Sequence, residues 1–328
     1  MRLHILGFVG MLALPLFVAP LAAAAPPTGK VARVGVLVSG SGSESRFLAP
    51  FREGMRALDY IEGRNYVIVV RGAEGAYDRL PRLVAELIEL HVDVIVTGGV
   101  PAALAAKRAT TTIPIVAASV GDPVGAGLVT NLPRPGGNIT ALSHFAADLS
   151  GKQVKVFKEA IPTLSRIGVL YNATNPLHPG YWREEQAAAQ ALGVTLVRLV
   201  VRDTNELVHA FDAVQLERGD GLLVLSDPFF IAQSEQIAHL ATANRLPMMA
   251  QYREHVEAGG LLAYGPNLPE ISKRAATYVD KILQGTKAGD LPVEQPMKFE
   301  LVINLKTAKE LGLTIPPTLL FQADEVIK

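Results

Sequence analysis

Short apolar runs alternate along this chain with stretches in which apolar residues recur every three or four positions. Residues 31–38 are apolar apart from Arg33 and are followed by Ser and Gly, the pattern of a buried strand. Phe47, Phe51, Met55 and Leu58 then fall at helical spacing, and 65–70 reads as a second strand. Tyr77, Leu80, Leu83, Val84, Leu87 and Ile88 make an apolar helical stripe. A strand at 92–97, a short helix at 102–108 and a strand at 114–118 complete the series. The same order returns later, with strands at 167–171, 194–200, 221–225 and 247–249 and helices starting near Gly180, Asn205 and Ile231. Strands alternating with helices imply parallel βαβ units with helices on both sheet faces.

The two series share residues as well as order. Arg33-Val34-Gly35-Val36-Leu37 is matched by Arg166-Ile167-Gly168-Val169-Leu170, and Asp93-Val94-Ile95-Val96 by Asp220-Gly221-Leu222-Leu223-Val224. Two strands entered through proline, at Pro114 and Pro247, match in the same way. Such a duplication predicts an α/β protein of two Rossmann-like lobes with parallel sheets, facing each other across a cleft suited to a small molecule. Residues 122–140 hold Pro133, Pro135, Gly136 and Gly137 and read as connecting structure, leading to a first crossing at 142–145 and a helix at 149–160. A strand at 261–264 crosses back, and the helix carrying Ile271, Ala275, Tyr278, Val279 and Ile282 is expected to pack on the first lobe. Lobe 1 is therefore assigned to 31–143 plus about 265–290, and lobe 2 to 144–264. The tail at 291–328, with a strand at 299–303 and a helix at 306–311, is assigned to lobe 2.

Composition narrows the function. Of 328 residues, 31 are basic and 31 acidic, so the clustered positive excess that nucleic acid requires is missing. There is no cysteine, which removes disulfides, a lipid-bearing Cys, thiolate metal sites and a Cys nucleophile. The chain opens on Met1-Arg2-Leu3-His4, an apolar run at 5–21 and four alanines at 22–25. A positive start, an apolar stretch and small residues before a polar junction describe a secretory signal peptide at 1–25, cut near Ala24 or Ala25. Export to the periplasm is expected. Beyond it, no stretch reaches about 18 apolar residues, the length of a membrane-spanning helix.

Candidate site residues gather where strands end, because ligands of open α/β sheets sit beyond the carboxyl ends of the strands. After the first strand, Ser39, Ser41 and Gly42 offer hydroxyls and backbone donors for an anionic group, or form a plain βα turn. Thr97, Gly98 and Pro101 follow a central strand and lead into a helix, with Pro101 suited to its first turn. Ser119 and Asp122, and Ser226 and Asp227, occupy matching places; an Asp before Pro commonly forms a turn or cap, the reading preferred for Asp122. Tyr171, Asn172 and Asn175 end the first strand of lobe 2 and mirror the Ser/Gly loop. His178, Tyr181 and Trp182 lie nearby, Phe229, Phe230 and Tyr252 come from other loops on the cleft side, and together with Tyr171 these suggest an aromatic-lined pocket. Taken singly, Trp182 and Phe230 read as helix core.

Catalytic signatures are weak. The seven histidines show no metal-binding spacing, no G-x-S-x-G elbow occurs, and Gly40-Ser41-Gly42-Ser43-Glu44-Ser45 lacks the closing glycine of a dinucleotide fingerprint. No cofactor, metal or catalytic residue is assigned, and the chain is read as no enzyme.

Several segments carry a specific likeness: Phe51-Arg52-Glu53-Gly54-Met55, Glu62-Gly63-Arg64-Asn65, Asp122-Pro123-Val124-Gly125-Ala126-Gly127-Leu128-Val129, Arg134-Pro135-Gly136-Gly137-Asn138-Ile139-Thr140 and Phe299-Glu300-Leu301-Val302-Ile303-Asn304-Leu305-Lys306-Thr307-Ala308. In these the chain resembles the ABC transporter substrate-binding proteins of tryptophan/tyrosine type, over nearly all of the mature length. The resemblance implies a type I periplasmic binding fold with two lobes, three crossings and a cleft. It also implies a small-molecule ligand, amino-acid-like in some members, and partnership with a membrane permease and its ATPase. A monomer that closes on a carboxylate-bearing or aromatic ligand is expected. A ligand sensor for a membrane receptor and an α/β enzyme are the alternatives.

Overall fold

The computed structural model describes residues 31–40, 47–144, 146–295 and 299–328. The signal-peptide assignment at 1–25, and Ser41 and Gly42, lie outside the described residues.

Five strands, β1 (Ala32–Val38), β2 (Tyr66–Gly72), β3 (Val94–Gly98), β4 (Ile115–Val120) and β5 (Ile139–Ser143), form a parallel sheet in the order β2-β1-β3-β4-β5. Alternate residues divide between its two faces. Val34, Val36, Val94 and Val96 pack with the helices Leu48–Arg56 and Leu268–Leu283. Leu37, Ile95, Ile115 and Ala117 pack with Leu80–Glu89 and Val100–Ala109. Burial on both faces explains why these strands read as apolar runs and not as an alternation.

The second sheet holds β6 (Arg166–Asn172), β7 (Thr195–Val201), β8 (Gly221–Val224), β9 (Met248–Ala250), β10 (Leu262–Gly265), β11 (Glu300–Asn304) and β12 (Glu325–Ile327), in the order β12-β11-β10-β9-β8-β6-β7. Only β11 runs antiparallel to its neighbour β10. The sequence repeat is a structural one. β1 lies between β2 and β3, as β6 lies between β7 and β8. The repeated Asp also acts twice: Asp93 Oδ2 accepts the Arg33 N–H at 2.8 Å, and Asp220 Oδ1 accepts the Arg166 N–H at 2.8 Å.

Both lobes are discontinuous. The helix Leu268–Leu283 is started by Asn267, whose side chain accepts the Glu270 N–H at 3.0 Å. Ile271, Ala275, Val279 and Ile282 make its buried stripe on lobe 1. It meets the helix Leu48–Arg56 at Gly54, where a Cβ would lie 2.6 Å from Lys273 O. The chain then stays on lobe 1 longer than the expected limit near 290. Val293 N–H donates to Leu132 O (2.8 Å) and Glu294 N–H to Ala141 O (3.1 Å). The lobe 2 part of the tail therefore begins at β11. The stretch read as connecting structure likewise ends in a strand, β5. Its Ile139 and Ala141 are buried because β4 pairs with one edge and the returning Glu294 with the other. The chain thus passes between lobes after β5, after β10 and after Gln295.

Candidate functional site

A cavity of about 360 Å³ lies where the strand ends of the two lobes meet, within the ~300–1,000 Å³ usual for small-molecule pockets. Lobe 1 contributes Ser39 and Gly40 after β1, Gly98 and Gly99 at the end of β3, and Ser119 and Gly121 at the end of β4. Phe47 and, from the returning helix, Leu268 and Ser272 extend that wall. Lobe 2 contributes Asn175, Leu177, Tyr181, Ser226, Tyr252, Glu254 and the helices that follow Asp227. His144, at the first passage between lobes, faces the same space.

Tyr252 joins these parts. Its Oη is hydrogen bonded to Ser226 Oγ at 2.8 Å and to His144 Nε2 at 3.2 Å, and the Ser119 hydroxyl reaches it too. Burial pushes the phenol well above its ordinary range, so it remains a neutral donor and acceptor. Gln251 Nε2 lies 3.1 Å from His144 Nδ1. Burial holds this imidazole down to about 4, so it is neutral near pH 7. Ser119 has φ +53°, a left-handed conformation costly for a non-glycine residue, at a register shift between β4 and β5. The kink turns the end of β4 into the cavity. Tyr181 is buried, and burial raises its phenol well above the usual range. The site thus offers hydroxyls, amides and aromatic faces from both lobes, suited to a small polar molecule with a flat apolar part.

Of the residues singled out in the sequence, Ser39, Gly98, Ser119, Asn175, Ser226 and Tyr252 face the cavity. Seven others do not. Thr97 is fully buried on the Ile95 side of the sheet, its Oγ1 without a hydrogen-bond partner. Pro101 sits in the first turn of Val100–Ala109 and lines a separate groove with Tyr77, Thr174 and Pro176. Asp122 closes a turn, its Oδ1 accepting the Val124 and Gly125 N–H groups at 3.1 and 2.8 Å. Tyr171 belongs to the lobe 2 core, edge-on to His178 and Trp182. Asn172 and Asp227 are buried partners, Asn172 Nδ2 donating to Asp227 Oδ2 at 3.2 Å. Phe229 is core between the lobes, packed with Phe230. As the spacing suggested, Trp182 and Phe230 are buried.

His178 explains why the Tyr171–Asn175 loop folds inward. Its Nδ1 accepts the Asn172 N–H at 2.8 Å, which leaves Nε2 to donate to Ser226 O at 3.2 Å. Burial lowers its basicity, opposed in part by Asp227. The ring therefore ties β6 to β8 behind the cavity, and the loop aromatic lies in the core with it. Cavity residues missed in the sequence include His144, Phe47, Glu254 and Ser272. Tyr181, an aromatic near the Tyr171–Asn175 loop, faces the cavity from the helix His178–Ala191, three positions after His178.

Two lobes enclosing a polar and aromatic cavity, joined by three passages, define a type I binding protein. The chain belongs to the ABC transporter substrate binding protein family, whose profile matches residues 30–327. It is 27% identical over 271 residues to the "Tyrosine-binding protein" of Clostridioides difficile, covering 80% of this chain and 75% of that one. A conserved domain protein of Vibrio cholerae superposes with a TM-score of 0.84 at 30% identity, covering 90% of this chain and all (100%) of that one. An ABC domain of Streptococcus pneumoniae in complex with L-Trp superposes with a TM-score of 0.81 at 27% identity, covering 90% of this chain and 100% of that one. The family is a non-enzymatic transport component, which sets aside the α/β-enzyme alternative.

Proposed function

We propose that this chain is the periplasmic solute-binding component of an ABC importer, a monomer exported by removal of residues 1–25, that closes its lobes on an aromatic amino acid. The cavity between the lobes, with hydroxyls from both around Tyr181, Tyr252 and Phe47, carries this reading. Ser39, Ser119 and the start of the helix Val100–Ala109 suit the ligand carboxylate. Tyr181 and Phe47 suit a planar side chain. The C. difficile relative is named for tyrosine and the S. pneumoniae relative was solved with L-Trp, which supports the ligand class. A closed chamber delivered to a permease fits a hinge equilibrium biased by contacts to both lobes.

The test is calorimetric titration of the purified protein with L-tyrosine, L-tryptophan, L-leucine and benzoate, repeated with Tyr252→Phe. The expected result is micromolar or tighter binding of an aromatic amino acid, weakened about tenfold or more by Tyr252→Phe, which strips a partner from Ser226 and His144. Binding of benzoate or leucine in preference, or no effect of Tyr252→Phe, would overturn the assignment.

A further inference from the structure

We propose that the turn Asp227-Pro228-Phe229 of lobe 2 is a peg and that Tyr77, Gly75 and Gly99 of lobe 1 are its socket, together forming a latch that favours the closed form without help from the ligand. Tyr77 Oη donates to Asp227 Oδ1 at 2.7 Å and accepts the Phe229 N–H at 3.2 Å. The residues are 150 apart in sequence and sit on opposite lobes. Asp227 is fully enclosed and is also the cap of the helix Pro228–Ala232, its Oδ1 accepting the Phe229 N–H at 2.7 Å. The shape of the socket fits the peg closely. A Cβ on Gly75 would lie 2.9 Å from Phe229 Cδ2, and one on Gly99 2.7 Å from Pro228 Cγ. Both glycines also have φ near +80°, at +82° and +84°, where a side chain is strained in any case.

The latch also reaches the ligand wall. The second oxygen of Asp227, Oδ2, accepts Asn175 Nδ2 at 2.8 Å and Asn172 Nδ2 at 3.2 Å. Asn175 faces the cavity, whereas Tyr77, Asp227 and Phe229 do not. One carboxylate therefore connects the lobe contact to a cavity residue without touching what the cavity holds. Closing brings Tyr77 to this carboxylate, and opening withdraws it. A buried hydrogen bond of this kind shifts a two-state equilibrium by about threefold to tenfold. The affinity of any ligand that needs the closed form moves in proportion to the closed fraction.

The latch rests on the lobe-closure part of the proposed function and not on the identity of the ligand, and the experiment separates the two. Because the chain has no cysteine, Glu89→Cys on lobe 1 and His209→Cys on lobe 2, both exposed, give a clean pair for nitroxide labels. Distances are measured by double electron–electron resonance, without ligand and with L-tryptophan, in the parent and in Tyr77→Phe and Gly75→Ala. A short-distance population in the ligand-free parent, depleted about threefold to tenfold by Tyr77→Phe and at least as far by Gly75→Ala, is expected. The L-tryptophan dissociation constant should rise by the same factor. An unchanged ligand-free distribution in both variants, or a ligand-free parent that holds only the long distance, overturns the latch. If neither L-tryptophan nor L-tyrosine binds any of the proteins, the ligand reading fails while the ligand-free distances still decide the latch.

Discussion

Replacing Tyr171 by alanine separates a pocket wall from a core. The ring is 8% exposed, 5.3 Å from the His178 ring and 6.5 Å from the Trp182 ring, centre to centre. The Arg198 guanidinium lies 5.2 Å above it and 4.6 Å above Trp182. Alanine leaves a void among these groups, and removal of a buried aromatic costs roughly 3–5 kcal/mol. Part of the cation–π attraction on Arg198, about 0.5–1 kcal/mol, goes as well. For a chain of this size each kcal/mol lowers the melting temperature by about 2–4 °C, so a fall of roughly 7–24 °C is expected. Since the ring does not face the cavity, affinity measured by calorimetry well below that temperature should change less than about threefold. Tyr171→Phe, which keeps the ring contacts, should melt within about 3 °C of the parent. An alanine variant that melts normally but binds tenfold more weakly would refute the placement of Tyr171 in the core.

Two pH effects of opposite sign are expected, together with one stability gain. His144 titrates lower in the fold, at about 4, than its ordinary 6.5, so the unfolded chain binds more protons between those values. Its contribution is complete above about 6.5 and is lost as pH falls toward 4; melting curves from pH 7 to 4 should show that loss, and His144→Gln should flatten it. Glu185 is fully buried, neither of its carboxyl oxygens has a hydrogen-bond partner, and burial raises it well above its ordinary 4.5. Its cost to the fold grows as pH climbs above 4.5, so Glu185→Gln should raise the melting temperature at pH 7 to 8 and do little at pH 4; a lowered melting temperature at pH 8 would contradict it.

Most of the scaffold is readable from residue spacing. Apolar runs at β1, β3, β6 and β8 are unambiguous because both faces are covered, and the repeated Asp follows each pair of strands at the same place. Where the elements are short and mixed, spacing loses its grip. β5 is hidden among prolines and glycines, and β12 is a three-residue edge strand whose partner lies elsewhere in the chain. The cavity was legible where a backbone turn at a strand end fixes direction, as at Ser39, Gly98, Ser119 and Ser226. It was not legible for aromatics. Whether Tyr171 or Tyr181 faces the cleft depends on His178 pulling the loop onto β8, a contact between residues 178 and 226 that no local pattern encodes. Asp122 and Asp227 look alike in sequence, yet one closes an exposed turn and the other meets a donor, Tyr77, from the opposite lobe.

The helix Leu268–Leu283 sets a timetable for the whole molecule. It covers one face of the first sheet, but on a chain made from its N-terminus it arrives only after the first pass through lobe 2. Val34, Val36, Val94 and Val96 are left with half their cover until then. Roughly 120 residues separate β5 from that helix, so at about 5–20 residues per second the wait is on the order of ten seconds. During that interval lobe 1 is an incomplete sheet with a greasy side, a substrate for holding chaperones and for aggregation alike. A chain cut before Leu268 would stay in that condition permanently.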